Sequence, residues 1–321
     1  NSLFGNSYFM IRLITDTFRV CLVTLLYITV ASCSGACASS GTYKKPIIHN
    51  FPVKSFVQLR SDTAWKGCEL DKETGKVKCQ VATSRAVSSG SFIKHSEVDS
   101  SISYVLTAGH SCRSTKVKER KINDITVTHM GQKFTIVDYN GFKYEASVVS
   151  IDKRFDMCLL EVRTVLLKHP ILKVAKNAPK RGELAYNMAA PHGIVAPRMV
   201  LTFSGYFSGY SREGYSMYSM PTKPGSSGSP IMNRSNELIG NIFAGYRSME
   251  NIGVASPLVA IKVFLRNSIA KAEMTVWARL NKGADKTDTT MNKMMQNIHK
   301  RLHEYFSVDS VDNKRGILSP L

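Results

Sequence analysis

Acidic residues are scarce in this chain of 321 residues: 24 Asp and Glu stand against 43 Lys and Arg, a net charge of +19. The excess is spread along the chain rather than gathered in a tail. It allows attraction to nucleic acid or anionic membrane and says nothing of fold. The seven cysteines include no CxxC pair, so nothing suggests structural zinc, and no metal or cofactor is called for. Cys21, Cys33 and Cys37 lie in or beside one hydrophobic stretch. Cys68, Cys79, Cys112 and Cys158 are scattered, which fits a reducing compartment better than a disulfide framework, and whether Cys68 pairs with Cys79 is open. Long helical periodicity is missing from Phe51 to Pro257, and no internal repeat is present. With 43% hydrophobic and 21% charged residues, a disordered or collagen-like chain is excluded.

A long hydrophobic run does occur. Val20 to Ala38 is nineteen residues without a charge, enough as a helix to span roughly the ~30 Å core of a bilayer. Arg12 and Arg19 precede it and Lys44 and Lys45 follow, so flanking charge does not set an orientation. A signal peptide competes, with Val20–Ala31 as its apolar centre and Ala36-Cys37-Ala38 as its cleavage site. Val30-Ala31-Ser32-Cys33 also resembles a lipoprotein processing site, and a buried helix is the remaining reading. A first residue of Asn rather than Met fits an internal polyprotein segment and favours a membrane anchor.

After a polar linker (39–50), a domain at 51–266 has, as far as about Pro257, the texture of many short strands. Ile125–Thr128, Phe134–Val137 and Ala146–Ile151 are examples, with turns at Asn140-Gly141 and Arg181-Gly182. Such spacing predicts an all-β sandwich or pair of barrels. Leu258, Ile261, Val263, Phe264 and Leu265 predict one short closing helix. In the basic tail (267–321), Lys282 to Thr290 reads as a flexible joint. Met294, Met295, Ile298, Leu302, Tyr305 and Phe306 predict a last helix.

The most informative segment is Thr222-Lys-Pro-Gly-Ser-Ser-Gly-Ser-Pro230. A serine nucleophile needs an exposed hydroxyl on a tight turn, with backbone N–H groups aimed at the developing oxyanion. Gly225 and Gly228 bracket Ser227, so Ser227 is the candidate and the N–H groups of Gly225 and Ser227 are the candidate oxyanion hole. Taken alone, a chemically inert Ser/Gly loop is the plainer reading. Tyr104-Val-Leu-Thr-Ala-Gly-His110 adds an apolar strand ending in a histidine, the placement a general base requires. The other histidines sit in loops or on the tail helix and read as surface or satisfied core residues. Phe155-Asp156-Met-Cys-Leu-Leu160 adds an acid leading into an apolar strand, where it can accept the His Nδ1–H. Asp152, followed by Lys153 and Arg154, is the fallback and fits a solvated turn.

The strings LTAGH, FDMCLL and GSSGSP, in the order His110, Asp156, Ser227, resemble the signature blocks of trypsin-like serine proteases over about Phe51 to Arg266. That resemblance implies a chymotrypsin-like double β-barrel, preceded by an N-terminal hydrophobic helix and followed by a small helical tail. The triad would lie between the barrels, and the substrate would be polypeptide. Thr222-x-x-Gly225-x-Ser227-Gly228 further resembles the signature of sobemovirus- and polerovirus-type polyprotein proteases, which place membrane segments upstream and a genome-linked protein downstream. Trp277-Ala278-Arg279 is similar to an element of those genome-linked proteins, with Arg where Asp is expected, so none is assigned. In viral relatives that cut after Glu or Gln, a Thr at the position of Thr222 and a His on the next strand read the side chain. Thr222 is present, but the next strand offers Ile242, Phe243 and Ala244 as candidate substrate-binding residues and no His. Gly240–Gly245 followed by Ile252–Pro257 also resembles the high-temperature-requirement family of exported quality-control proteases.

Two localisations follow: a host membrane for a viral protease processing its own polyprotein, or export. A basic binding module is the non-enzymatic alternative. Lys116, Lys118, Arg120 and Lys121 form one cluster, and Lys173, Lys176, Lys180 and Arg181 another. Either would support RNA contact through phosphates, and a solvated basic surface is the plainer reading.

Overall fold

The computed structural model describes residues 51–71, 74–113, 119–122, 125–164, 169–246, 249–281 and 289–307. The candidate membrane segment Val20–Ala38 and the linker lie outside them. Among the described residues no helix is long and apolar enough to cross a membrane.

Seven strands build the first half: β1 (Phe56–Leu70), β2 (Val77–His95), β3 (Ile102–Ala108), β4 (Glu119–Ile122), β5 (Ile125–Asp138), β6 (Lys143–Asp152) and β7 (Met157–Arg163). Their order is β1-β2-β3-β7-β6-β5-β4, and pairing of β1 with β5 closes six of them into a barrel. Val57, Leu59, Phe92, Val105, Ile136, Leu160 and Val162 fill it. The second half is β8 (Leu184–Ala189), β9 (Val195–Ala196), β10 (Met199–Tyr210), β11 (Ser216–Tyr218), β12 (Pro230–Met232), β13 (Leu238–Tyr246) and β14 (Met249–Pro257). The order β11-β14-β13-β12-β8-β10-β9, closed by β10 with β11, makes a second six-stranded barrel. Phe207, Tyr218, Ile231, Ile239 and Ile242 are among its core residues. All the barrel pairings are antiparallel. The chain therefore folds as the double β-barrel that the resemblance implied, one of the two all-β arrangements its strand spacing allowed.

In β3 every residue is buried, so no alternation marks it. Val105 points into the first barrel, while Tyr104 lies by Glu273 of a C-terminal helix, and burial together with that carboxylate pushes the phenol pKa up. Polar bonds then join the barrels. Asn241 Nδ2 donates to Thr107 O at 3.3 Å, and Ser256 Oγ donates to Phe155 O at 2.7 Å.

Three expectations change. Ile125–Thr128 and Phe134–Val137 are two ends of one strand, β5, whose pairing with β1 is offset where Ala64 faces Gly131 and Trp65 faces His129. The closing helix is not short: it runs Leu258–Leu280, straight through residue 266. Its buried stripe continues through polar Ser268 and Glu273, which no apolar periodicity reveals. Glu273 accepts from Ser96 Oγ at 2.9 Å and from the N–H groups of Glu97 and Val98 at 3.2 Å each. Burial nevertheless raises its pKa. Trp277 and Arg279 lie in the last turn, where Arg279 holds both oxygens of Glu161 at 2.8 Å. The last helix, Thr289–Tyr305, buries Met295, Ile298 and Leu302 as its spacing predicts.

Third, the four scattered cysteines pair, as Cys68–Cys79 and Cys112–Cys158, which removes the argument for a reducing compartment. Cys68 and Cys79 face each other across the β1–β2 hairpin. Cys112 and Cys158 are 46 residues apart in sequence and meet inside the first barrel. Replacing Cys112 and Cys158 together by alanine is expected to lower stability by about 2–4 kcal/mol, chiefly by freeing the unfolded chain. Urea unfolding monitored by circular dichroism measures this.

Candidate active site

β3 ends at Ala108 and the chain turns into a single helical turn, Gly109–Cys112, which carries His110 at the barrel rim. The Gly109 N–H donates to Asp156 O at 2.7 Å, fixing this turn against the loop before β7. A Cβ on Gly109 would meet the backbone and side chain of Asp156 at 3.0 Å, so the approach requires glycine. Asp156 adopts the left-handed conformation (φ 51°), which a short polar side chain tolerates better than most. His110 Nδ1 hydrogen-bonds Asp156 Oδ2. The other oxygen, Oδ1, accepts from an Arg113 guanidinium nitrogen at 3.0 Å. Asp156 is buried, whereas the His110 side chain is 44% exposed. One end of the imidazole is thus oriented while the ring stays open to a ligand.

Ser227 stands across from this turn. Its carbonyl accepts from the Ser89 N–H of β2 at 2.7 Å. A Cβ on Gly228 would fall 2.2 Å from Ser89 O and 2.7 Å from Ala108 N, so glycine alone lets the serine turn reach the end of β3. Ser226 and Ser229 are buried, and Ser229 Oγ accepts from Asn187 Nδ2 at 2.8 Å.

The peptide planes set the two candidate oxyanion donors. Pro224 O accepts from His192 N at 2.6 Å, and Ser226 O accepts from Ser229 N at 3.0 Å. In a trans peptide the N–H points opposite to the C=O, so the Gly225 and Ser227 N–H groups point away from these anchored sides. Neither makes a hydrogen bond among the described residues. Gly225 has φ 95°, and a Cβ there would lie 2.4 Å from Ala190 O.

Beside Ser227 opens a cleft of about 320 Å³ lined by Thr222, Lys223, Pro224, Ile242, Ala244, Gly245 and Tyr246. Thr222 Oγ1 donates to Ile252 O at 3.2 Å and occupies space that any side chain on Gly245 would need. Three of the expected wall residues, Thr222, Ile242 and Ala244, line the cleft. Phe243 instead packs its ring on Tyr215 at 5.1 Å, because side chains alternate along β13 and the residue between Ile242 and Ala244 faces the other way. Lys223, Tyr246 and Arg113 were not singled out from sequence, since their proximity to the site depends on tertiary folding.

Asp152 serves its turn, its Oδ1 accepting from Arg154 N at 2.7 Å and Phe155 N at 3.0 Å. His169 is a core residue stacked on Phe92 at 4.3 Å. Burial holds its pKa down, against the pull of Asp138. Lys116 and Lys118 lie outside the described residues. Lys176, Lys180 and Arg181 border an open cleft of about 740 Å³ shared with Glu183 and Glu237, so cations and carboxylates alternate there. No group of three or more His, Cys, Asp and Glu among the described residues could hold a metal ion.

The two barrels make a chymotrypsin-like fold, and the family profile of the trypsin-like peptidase domain matches residues 88–240. Among solved structures, the chain is similar to the serine endoprotease from Yersinia pestis, with 16% identity and a TM-score of 0.49. The match covers 69% of this chain and 65% of that one. No curated protein sequence matches.

Proposed function

We propose that the protein is a serine endopeptidase using His110, Asp156 and Ser227. The observation that carries this is the His110–Asp156 hydrogen bond just past β3, with Gly228 of the serine turn packed against Ala108 at the end of that strand. Ser227 Oγ attacks the substrate carbonyl carbon while His110 Nε2 takes the hydroxyl proton. Asp156 holds the Nδ1 tautomer and stabilises the imidazolium. Charge developing on the carbonyl oxygen meets the Gly225 and Ser227 N–H groups. The C–N bond then breaks, with the proton passing from His110 to the leaving amine. Water repeats the sequence to release the acid. Labelling by a fluorophosphonate tests this: the adduct is expected on Ser227 and nowhere else on the turn. A labelled Ser226 or Ser229 would reject the assignment.

We further propose that the substrate is the protein's own polyprotein, processed at a membrane to which Val20–Ala38 anchors the chain. Support comes from the Thr222–Gly228 pattern and the hydrophobic segment upstream of the protease domain. The two disulfides favour a second reading, an exported quality-control protease, because such bonds persist in oxidising compartments. Carbonate extraction separates the two. An anchored chain is expected to stay with the membrane pellet. Release by salt, which screens lipid charge within ~8–10 Å, or a mature N-terminus near Ser39, would favour export. RNA contact through the Lys173–Arg181 cluster remains a subsidiary proposal, checked by the salt dependence of binding.

A further inference from the structure

We infer that Arg113 is a positioning residue for the Asp156 carboxylate; this rests on the triad reading above. Asp156 has a side chain only 12% exposed, and a carboxylate so placed is costly unless its oxygens are hydrogen-bonded. His110 satisfies Oδ2, and Arg113 satisfies Oδ1 at 3.0 Å. Both donors come from one turn of chain. Arg113 caps the Gly109–Cys112 helix, its N–H directed at His110 O at 3.4 Å. The spacing of three puts the two side chains on one side of that turn. The carboxylate is therefore held at both oxygens by groups three residues apart, which fixes its plane relative to the imidazole.

The guanidinium also has an electrostatic effect of opposite sign. A cation beside Asp156 offsets part of its attraction for the imidazolium formed during catalysis. The Arg113 side chain is 47% exposed, so water screens that repulsion, while the directional bond to Oδ1 is retained. Orientation is the larger effect. The fold does not depend on Arg113 here, since the Cys112–Cys158 disulfide and the Gly109–Asp156 bond tie the same turn to β7.

The test is steady-state cleavage of a peptide by the full chain. Arg113→Ala is expected to lower kcat by about 10- to 100-fold, the scale of a small misplacement, with KM unchanged. Arg113→Lys, which keeps a cationic donor, is expected to recover much of the loss. In an Asp156→Asn background, Arg113→Ala should cost nothing further and recover some activity, because the amide is then free to turn its oxygen toward His110 Nδ1. An unchanged kcat, a loss expressed in KM alone, or an equal loss in both backgrounds would each overturn the inference. Ser227→Ala run alongside separates the two levels. If that variant stays active the triad reading fails. If it is inactive while Arg113→Ala cleaves normally, only the role of Arg113 fails.

Discussion

Ser227→Ala is expected to lower kcat for peptide cleavage by about 10⁶-fold, the scale seen when the nucleophile of such a triad is removed. Residual turnover would come from binding and the Gly225 and Ser227 N–H groups, which the substitution leaves in place. The neighbouring serines provide the contrast. Ser226 is buried, with its Oγ 3.4 Å from Lys223 N, and Ser229 meets Asn187. Alanine at Ser229 removes one hydrogen bond while Asn187 Nδ2 keeps Pro230 O at 3.0 Å. The expected cost is about 1 kcal/mol of stability with most activity retained. Single-turnover assays on the three variants measure the difference, and near-normal cleavage by the Ser227 variant would end the proposal.

Asp156→Asn is expected to cut kcat by about 10⁴-fold, and the site geometry supplies the reason. Arg113 can only donate, so it retains the amide oxygen of the new asparagine. The amide NH₂ then faces His110 Nδ1, which must accept. The imidazole proton moves to Nε2, where the base is needed. Asp152→Asn is expected to change little, because an amide oxygen still accepts from Arg154 N and Phe155 N. Kinetics on both variants, with circular dichroism to verify folding, checks this. Full activity in the Asp156 variant and loss in the Asp152 variant would reassign the acid.

The all-β class was legible because strand residues such as those of Phe134–Val137 run into turns with recognisable residues, here Asn140-Gly141, and local patterning of that kind survives in a single sequence. The LTAGH, FDMCLL and GSSGSP blocks were legible for a related reason. Their glycines and apolar strands are local requirements, and Gly109 and Gly228 indeed admit close backbone contacts. What escaped depends on partners distant in sequence. Glu273 reads as a break in an apolar stripe until Ser96 and the N–H groups of Glu97 and Val98 surround it. Cys112 and Cys158 look unrelated until β3 and β7 pair and set the turn after β3 beside the start of β7. Phe243 reads as a pocket residue beside Ile242 and Ala244, but the alternation of β13 turns it to the opposite face, where Tyr215 meets it.

The Leu258–Leu280 helix starts where β14 leaves the second barrel and ends with Arg279 bound to Glu161 of the first. It spans the joint between the half that carries His110 and Asp156 and the half that carries Ser227. Asp156 and Ser227 belong to different halves, so any sliding of one half over the other changes their separation. A chain ending at residue 266 would keep each residue proposed to touch substrate, but would lose Glu273, Arg279 and the covering last helix. Its halves would still be joined through Asn241, Ser256 and Ser89 and through the Tyr139–Arg198, Gln58–Gly193 and Arg154–Tyr215 bonds, but without the helix that crosses from one to the other. The C-terminal segment thus adds a further tie across the halves that carry Asp156 and Ser227.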